Sequence, residues 1–247
     1  MIRIRDSVRI PGKVRAVYWL IAINVLSYFV SSRGMPTGSL FMVGGLIPAE
    51  LLYPEMLDPK LIAARPGPLV SLFWSMFLHG GFLHLFFNML PLWILGPNVE
   101  ARMGSVRFLL FYFSCGAVGM LCQVFYDLDS VIPIIGASGA ISGIFGAYFA
   151  LFIDHFIRIT IGPNHNYRDI VIPIKVILIV WLLSQLFNAL LPFVGQAQSI
   201  AFFTHLGGFI CGLLLARGRS GSGFGKRKFR VFTGGRSEWP GFGGRND

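Results

Sequence analysis

Gly136-Ala137-Ser138-Gly139-Ala140-Ile141-Ser142-Gly143 is an apolar, glycine-spaced stretch with a serine near its centre. Further along, Thr204-His205-Leu206-Gly207-Gly208 has the same texture around a histidine. Both stretches run on into apolar sequence that reads as helix embedded in a membrane. An ionisable side chain inside a bilayer is unfavourable enough that its presence there marks a functional site by default. A serine and a histidine on two small-residue helices read as a nucleophile and its base, held where water is scarce.

The rest of the chain agrees with a membrane setting. Of 247 residues, 54% are hydrophobic and only 13% charged, too few charges to coat a soluble domain of this length. The fold class expected is all-α: one polytopic membrane domain, a six-transmembrane-helix bundle. Apolar runs place the spans near 14–31, 83–95, 106–126, 136–153, 170–191 and 200–216. Residues 1–13 form a basic N-terminal lead, 14–216 the membrane domain, and 217–247 a basic Gly/Ser/Arg-rich tail. That tail is expected to be disordered and to lie against anionic lipid. Within the membrane domain, 34–69 is apolar but broken by six prolines, so it reads as an interfacial first loop of short amphipathic pieces.

The net charge of +10 is not a nucleic-acid signature, because the charges sit outside the apolar runs and alternate in position. With the N-terminus in the cytoplasm, eighteen of the 21 lysines and arginines fall on the cytoplasmic side, leaving Arg33, Lys60 and Arg65 opposite. That split favours an even number of spans with both termini inside. The N-terminal lead has no small-residue cleavage site and no transit-peptide character, which predicts a retained first span and a bacterial inner membrane. Cys115, Cys122 and Cys211 all lie in apolar runs without disulfide or metal spacing.

Pro133 sits five residues before Ser138, so the helix is expected to start close to Gly136, with Ser138 in or near its first turn. Free backbone N–H groups and the positive end of the helix dipole then face any oxygen nearby. Gly139 and Gly143 form a small-xxx-small pair, so Ser138 also fits simple small-residue packing with its hydroxyl bonded to the backbone. Gly208 and Gly212 lie on or beside the His205 face and permit close approach to a glycine-bearing helix. His84 and Asn88, four apart, share a face of the second span; together they suit an oxyanion or an interhelical polar contact. His79, His84 and His205 lack the carboxylate, thiolate or HExxH pattern of a metal site, and no cofactor is expected.

These pieces occur together and in order: His79, His84 and Asn88 as H-x4-H-x3-N; Gly96-Pro97-Asn98-Val99-Glu100 followed by Gly104; Gly136-Ala137-Ser138-Gly139; and His205 with Gly208 and Gly212. The chain resembles the rhomboids, a family of intramembrane serine proteases. The resemblance implies that Ser138 is the nucleophile and His205 the base of a dyad without an acidic third member. It implies an oxyanion hole of His84, Asn88 and the Ser138 N–H, with His79 in a structural and solvent-handling role. It makes Glu100 and Arg102 hydrogen-bonding anchors at the end of the second span, and the fifth span and the 192–199 loop a gate. Partners are then transmembrane protein substrates and membrane lipid; no nucleic acid is expected, and the oligomeric state is left open. Two departures stand out. The Trp-Arg pair that many members carry in the first loop is replaced by Val70 and Ser71, and the tyrosine that in some members stacks on the base is replaced by Ser142. The orientation of His205 must therefore be fixed another way. The rival expectation is a catalytically silent, derlin-like binder of client helices, against which the retention of both Ser138 and His205 argues. A transporter would show two related halves, and none are visible.

Overall fold

The computed structural model describes residues 2–9, 13–34, 37–162, 168–190, 202–217 and 230–231. Among the described residues the main helices are α1 (Ala16–Gly34), α6 (Phe82–Met103), α7 (Ser105–Tyr126), α8 (Ser138–Leu151), α9 (Ile174–Leu190) and α10 (Phe202–Arg217). Of these, α1, α6 and α7 are long and apolar enough to cross a bilayer; α8, α9 and α10 are apolar but shorter. Their outward faces carry Trp19, Leu26, Phe87, Leu110, Leu183 and Leu214, all exposed. That apolar exterior is the surface of a membrane protein.

At the centre stands α8, whose residues from Gly139 to Tyr148 are all buried. It packs on α10 through glycines. A Cβ added at Gly212 would sit 2.6 Å from the Gly143 Cα, and one at Gly208 would sit 2.9 Å from the Gly139 carbonyl carbon. The two backbones touch, as small-residue helix pairs in membranes do. Around this pair, Leu92, Val99, Phe108, Tyr112, Ile144 and Tyr148 close the core. By contrast α9 reaches the bundle through rings: Trp181 stacks on Phe145 at 4.9 Å and on Phe209 at 5.6 Å.

The structure departs from the expected spans in three places. Helix α6 does not stop at 95 but continues through Pro97 to Met103. A proline removes one ladder bond, and the surrounding packing holds the helix across it. Here the packing is close, since a Cβ at Gly96 would lie 2.9 Å from Val17 Cγ2. The fifth helix begins at 174 rather than 170, because Arg168–Pro173 is a strand, β4. The all-α expectation is also amended by sheet. The five-residue β1 (Ile2–Asp6) pairs antiparallel with β3 (Phe156–Ile161), which pairs antiparallel with β4. A second, two-residue pairing joins β2 (Val8–Arg9) to β5 (Arg230–Val231). The N-terminal lead is thus partly built into structure. Asp6 Oδ2 accepts from Tyr148 Oη at 2.6 Å and from Asn98 Nδ2 at 2.9 Å, tying β1 to α8 and α6.

The proline-broken first loop holds α2 (Thr37–Gly44), α3 (Ala49–Leu52), α4 (Pro59–Ala64) and α5 (Pro68–Trp74), with single 3-10 turns at Pro54–Met56 and Ser75–Phe77. Its organiser is Arg65, 8% exposed. The guanidinium pairs with Glu50 at 2.7 Å and donates to the carbonyls of Gly45, at 2.6 Å, and Met42. Ser71 Oγ lies 3.4 Å from the same nitrogen, so one of the two departing loop positions contributes to this clamp.

Glu100 is fully buried and is held largely by backbone N–H groups. Its carboxylate accepts from the backbone N–H groups of Arg15, Ala16 and Val17 at 2.8, 2.9 and 2.9 Å, and from Ser105 Oγ at 2.6 Å. The charge is stabilised by the free N–H groups and dipole at the start of α1. Glu100→Gln turns one acceptor oxygen into an NH₂ that faces those N–H groups. Hydrogen bonds to a charged group are worth about 1.5–3 kcal/mol each, so a loss of about 2 kcal/mol is expected, read as a lower unfolding temperature in detergent.

Candidate active site

The chain folds tightly just before α8. Gly136 adopts φ +109°, a region L side chains avoid, and its N–H donates to the Ser75 carbonyl at 2.8 Å. Ile134 exchanges two backbone bonds with Leu46, at 2.8 and 3.1 Å, which holds the segment against the first loop. Ser138 is then the first residue of α8. The earliest helical bond runs from the Ile141 N–H to the Ala137 carbonyl, so the N–H groups of 138–140 precede the ladder.

Ser138 Oγ lies 2.8 Å from His205 Nε2. The α8–α10 glycines make this approach sterically feasible, since His205 sits one turn before Gly208. The start of α10 is held from α7: Gln123 Oε1 accepts from the Phe203 N–H at 3.2 Å, and Phe203 stacks on Tyr126 at 4.1 Å. On its other side, His205 Nδ1 lies 2.5 Å from Gln185 Oε1 on α9. Ser142, where some members of the family carry a tyrosine, donates to the Ser138 carbonyl at 2.7 Å.

The other polar residues gather from α6. The Gly80 N–H donates to His84 Nδ1 at 3.2 Å, which leaves the ring proton on Nε2. That nitrogen faces Gly136: a Cβ there would lie 2.7 Å from His84 Nε2 and 3.7 Å from Asn88 Nδ2. Gly136 is thus favoured both by its backbone angle and by the space the His84 ring occupies. Asn88 Nδ2 is buried without a protein acceptor among the described residues. His79, 2% exposed, packs edge-on against His84 with ring centroids 5.1 Å apart. Gly139 is used in packing, since a Cβ there would lie 2.9 Å from Thr204 Cγ2. Glu100 lies away from this group, at the start of α1.

Ser138, His205, His84, Asn88, Trp181 and Gln185 all line one cavity of about 760 Å³. It can hold an extended peptide segment, with two N–H donors, a hydroxyl and an imidazole facing one space. Among the described residues no group of three or more His, Cys, Asp or Glu side chains is placed to hold a metal ion. The 192–199 loop, the other half of the expected gate, lies outside the described residues, as does most of the 217–247 tail.

Two residues escaped the sequence reading. Gln185 sits in an apolar run and touches the histidine; its signal was a polar side chain inside a span. Arg65 was counted only as a charge, although Glu50 lies in the same loop.

The Rhomboid domain model matches residues 66–221. Over 155 residues the chain is 36% identical to "Rhomboid protease GluP" of Bacillus subtilis, covering 62% of this chain and 28% of that protein. Over 169 residues it is 30% identical to "RHOMBOID-like protein 4" of Arabidopsis thaliana, covering 64% of this chain and 39% of that one. The chain therefore spans well under half the length of these two relatives.

Proposed function

The chain belongs to the rhomboid family, and from that premise we propose that it is an intramembrane serine endopeptidase acting through a Ser138–His205 dyad. The observation that carries the reading is the 2.8 Å contact between Ser138 Oγ and His205 Nε2 inside a cavity that also holds His84 and Asn88. Ser138 Oγ attacks the scissile carbonyl carbon while its proton passes to His205 Nε2. The carbonyl oxygen becomes an oxyanion, met by the Ser138 N–H, His84 Nε2–H and the Asn88 amide. As the C–N bond breaks, the imidazolium proton goes to the leaving amine and an ester on Ser138 remains. Water then attacks the ester, giving its proton to Nε2, and the carboxyl product departs with Ser138 restored.

The substrates on this reading are transmembrane helices of other proteins. Attack needs an extended backbone, so cleavage falls at small or helix-weakening residues. Six helices cross the bilayer with both ends in the cytoplasm of a bacterial inner membrane, as the lysine and arginine distribution supports. At about 1.5 Å per residue, the 14 residues of α8 make roughly 21 Å, shorter than the ~30 Å hydrocarbon core. That supports a nucleophile lying below the membrane surface, with water entering from the non-cytoplasmic side.

A fluorophosphonate probe tests the reading directly. The expected result is covalent labelling at Ser138 in the wild type, none in Ser138→Ala, and labelling slowed by about 100-fold or more in His205→Ala. Equal labelling of wild type and Ser138→Ala would remove Ser138 from the chemistry.

A further inference from the structure

Ser142 stands where some members of the family carry a tyrosine against the base, so the hydrogen bonds that reach His205 from α9 matter more. Ser184 Oγ lies 2.6 Å from the Trp181 carbonyl, which only accepts, so the single hydroxyl proton of Ser184 is committed there. Toward Gln185 the Ser184 oxygen must therefore accept. The Gln185 atom facing it at 3.2 Å is accordingly the NH₂, which makes the atom facing His205 the amide oxygen. That oxygen also only accepts. His205 Nδ1 must then carry the ring proton and donate it at 2.5 Å, leaving a lone pair on Nε2 for the Ser138 hydroxyl. The opposite amide orientation would place the proton on Nε2 and make the imidazole useless as a base.

We infer that Gln185 is a positioning residue for the reaction: its amide oxygen holds His205 in the Nδ1–H tautomer and aims Nε2 at Ser138. This rests on the serine-protease reading above. Gln185 does for the imidazole what a carboxylate does in a Ser-His-Asp triad, without an extra charge beside it. It is 9% exposed and lines the same cavity as the pair it serves. Gln185 lies on α9, which also meets the bundle through the stacking of Trp181 on Phe145 and Phe209. The aim of the base therefore depends on where α9 stands, so a displaced α9 would leave His205 free to turn.

The test uses the full chain in detergent with a model transmembrane substrate. Wild type, Ser138→Ala, Gln185→Met and Gln185→Glu are compared by kcat and KM. Gln185→Met keeps the volume and loses the acceptor; its kcat should fall about tenfold with KM within about twofold, because the lost bond matters in the transition state. Gln185→Glu keeps an acceptor oxygen and should recover most of that kcat. An unchanged or raised kcat in Gln185→Met overturns the inference, since the contact would then only latch α9 to the bundle. A fall that Gln185→Glu fails to recover overturns it as well. Should Gln185→Met not fold, ¹⁵N NMR of histidine-labelled wild type decides, with His205 assigned by loss of its signal in His205→Asn. The Nδ1–H tautomer supports the inference and the Nε2–H tautomer ends it. Ser138→Ala separates the two levels: activity there defeats the protease reading and this inference with it. An inactive Ser138→Ala beside an unaltered Gln185→Met defeats the inference alone.

Discussion

Ser138→Ala and His205→Ala are each expected to lower kcat/KM for a transmembrane substrate by at least about 10³-fold, and the double substitution should lose little more than either alone. In the proposed mechanism the two side chains, 2.8 Å apart, share one proton path, so neither would function without the other. Groups that act as a unit give strongly non-additive effects, while what remains after their loss comes from the oxyanion donors and binding. The measurement is initial-rate cleavage in liposomes, with all variants reconstituted at equal density. Losses that multiply would mean that 138 and 205 serve separate steps. A His205→Ala variant as fast as wild type would take the imidazole out of the mechanism.

Gly208→Val is expected to lower activity about 100-fold without touching a reacting group. A Cβ at this position falls 2.9 Å from the Gly139 carbonyl carbon and 3.2 Å from its Cα, with the Gly139 oxygen nearer still. These are backbone atoms of a buried helix and cannot rotate aside. Relief comes from α10 moving off α8, which carries His205, three residues away, from Ser138. A misplacement of about 1 Å in a reacting pair is enough for a 10²-fold loss. Overpacking should also lower stability by about 1–3 kcal/mol, visible as a reduced unfolding temperature. Gly38→Ala serves as the control, because a Cβ on that residue of α2 meets nothing within 4 Å. Full activity in Gly208→Val would show that the α8–α10 backbone contact does not set the distance between the serine and the histidine.

Much of this arrangement could be read before any coordinates. The glycine spacing around Ser138 and after His205 announced two helices in close approach, because hydrogen in place of a side chain has that one steric meaning in a membrane. The strands of the small sheet also carry a local signal. Ile2-Arg3-Ile4-Arg5 and Ile157-Arg158-Ile159-Thr160-Ile161 alternate with the two-residue period of a strand. In Ile2-Arg3-Ile4-Arg5 the alternating residues are arginines, so the same pattern also reads as a basic lead. The pairing of β1 with β3 joins segments more than 150 residues apart, and nothing local announces such a contact.

Gln185 and Glu100 mark the boundary more sharply. A glutamine amid Trp181-Leu182-Leu183-Ser184 and Leu186-Phe187 says only that some polar partner exists. Its partner depends on the rotation of α9 about its axis, which side-chain stacking against Phe145 and Phe209 sets. Glu100 promised an anchor, but what it anchors, the start of α1, lies more than 80 residues back.

The amino-acid order alone determined that the chain lives in lipid, which helices come close, and which hydroxyl and imidazole are the reactive candidates. All of these follow from local composition and spacing, which act within a turn or two of helix. Only the tertiary structure decided how His205 is aimed, what neutralises Glu100, and how the first loop is clamped through Arg65. Those outcomes depend on the relative rotation and depth of whole helices, set by packing summed over many distant residues.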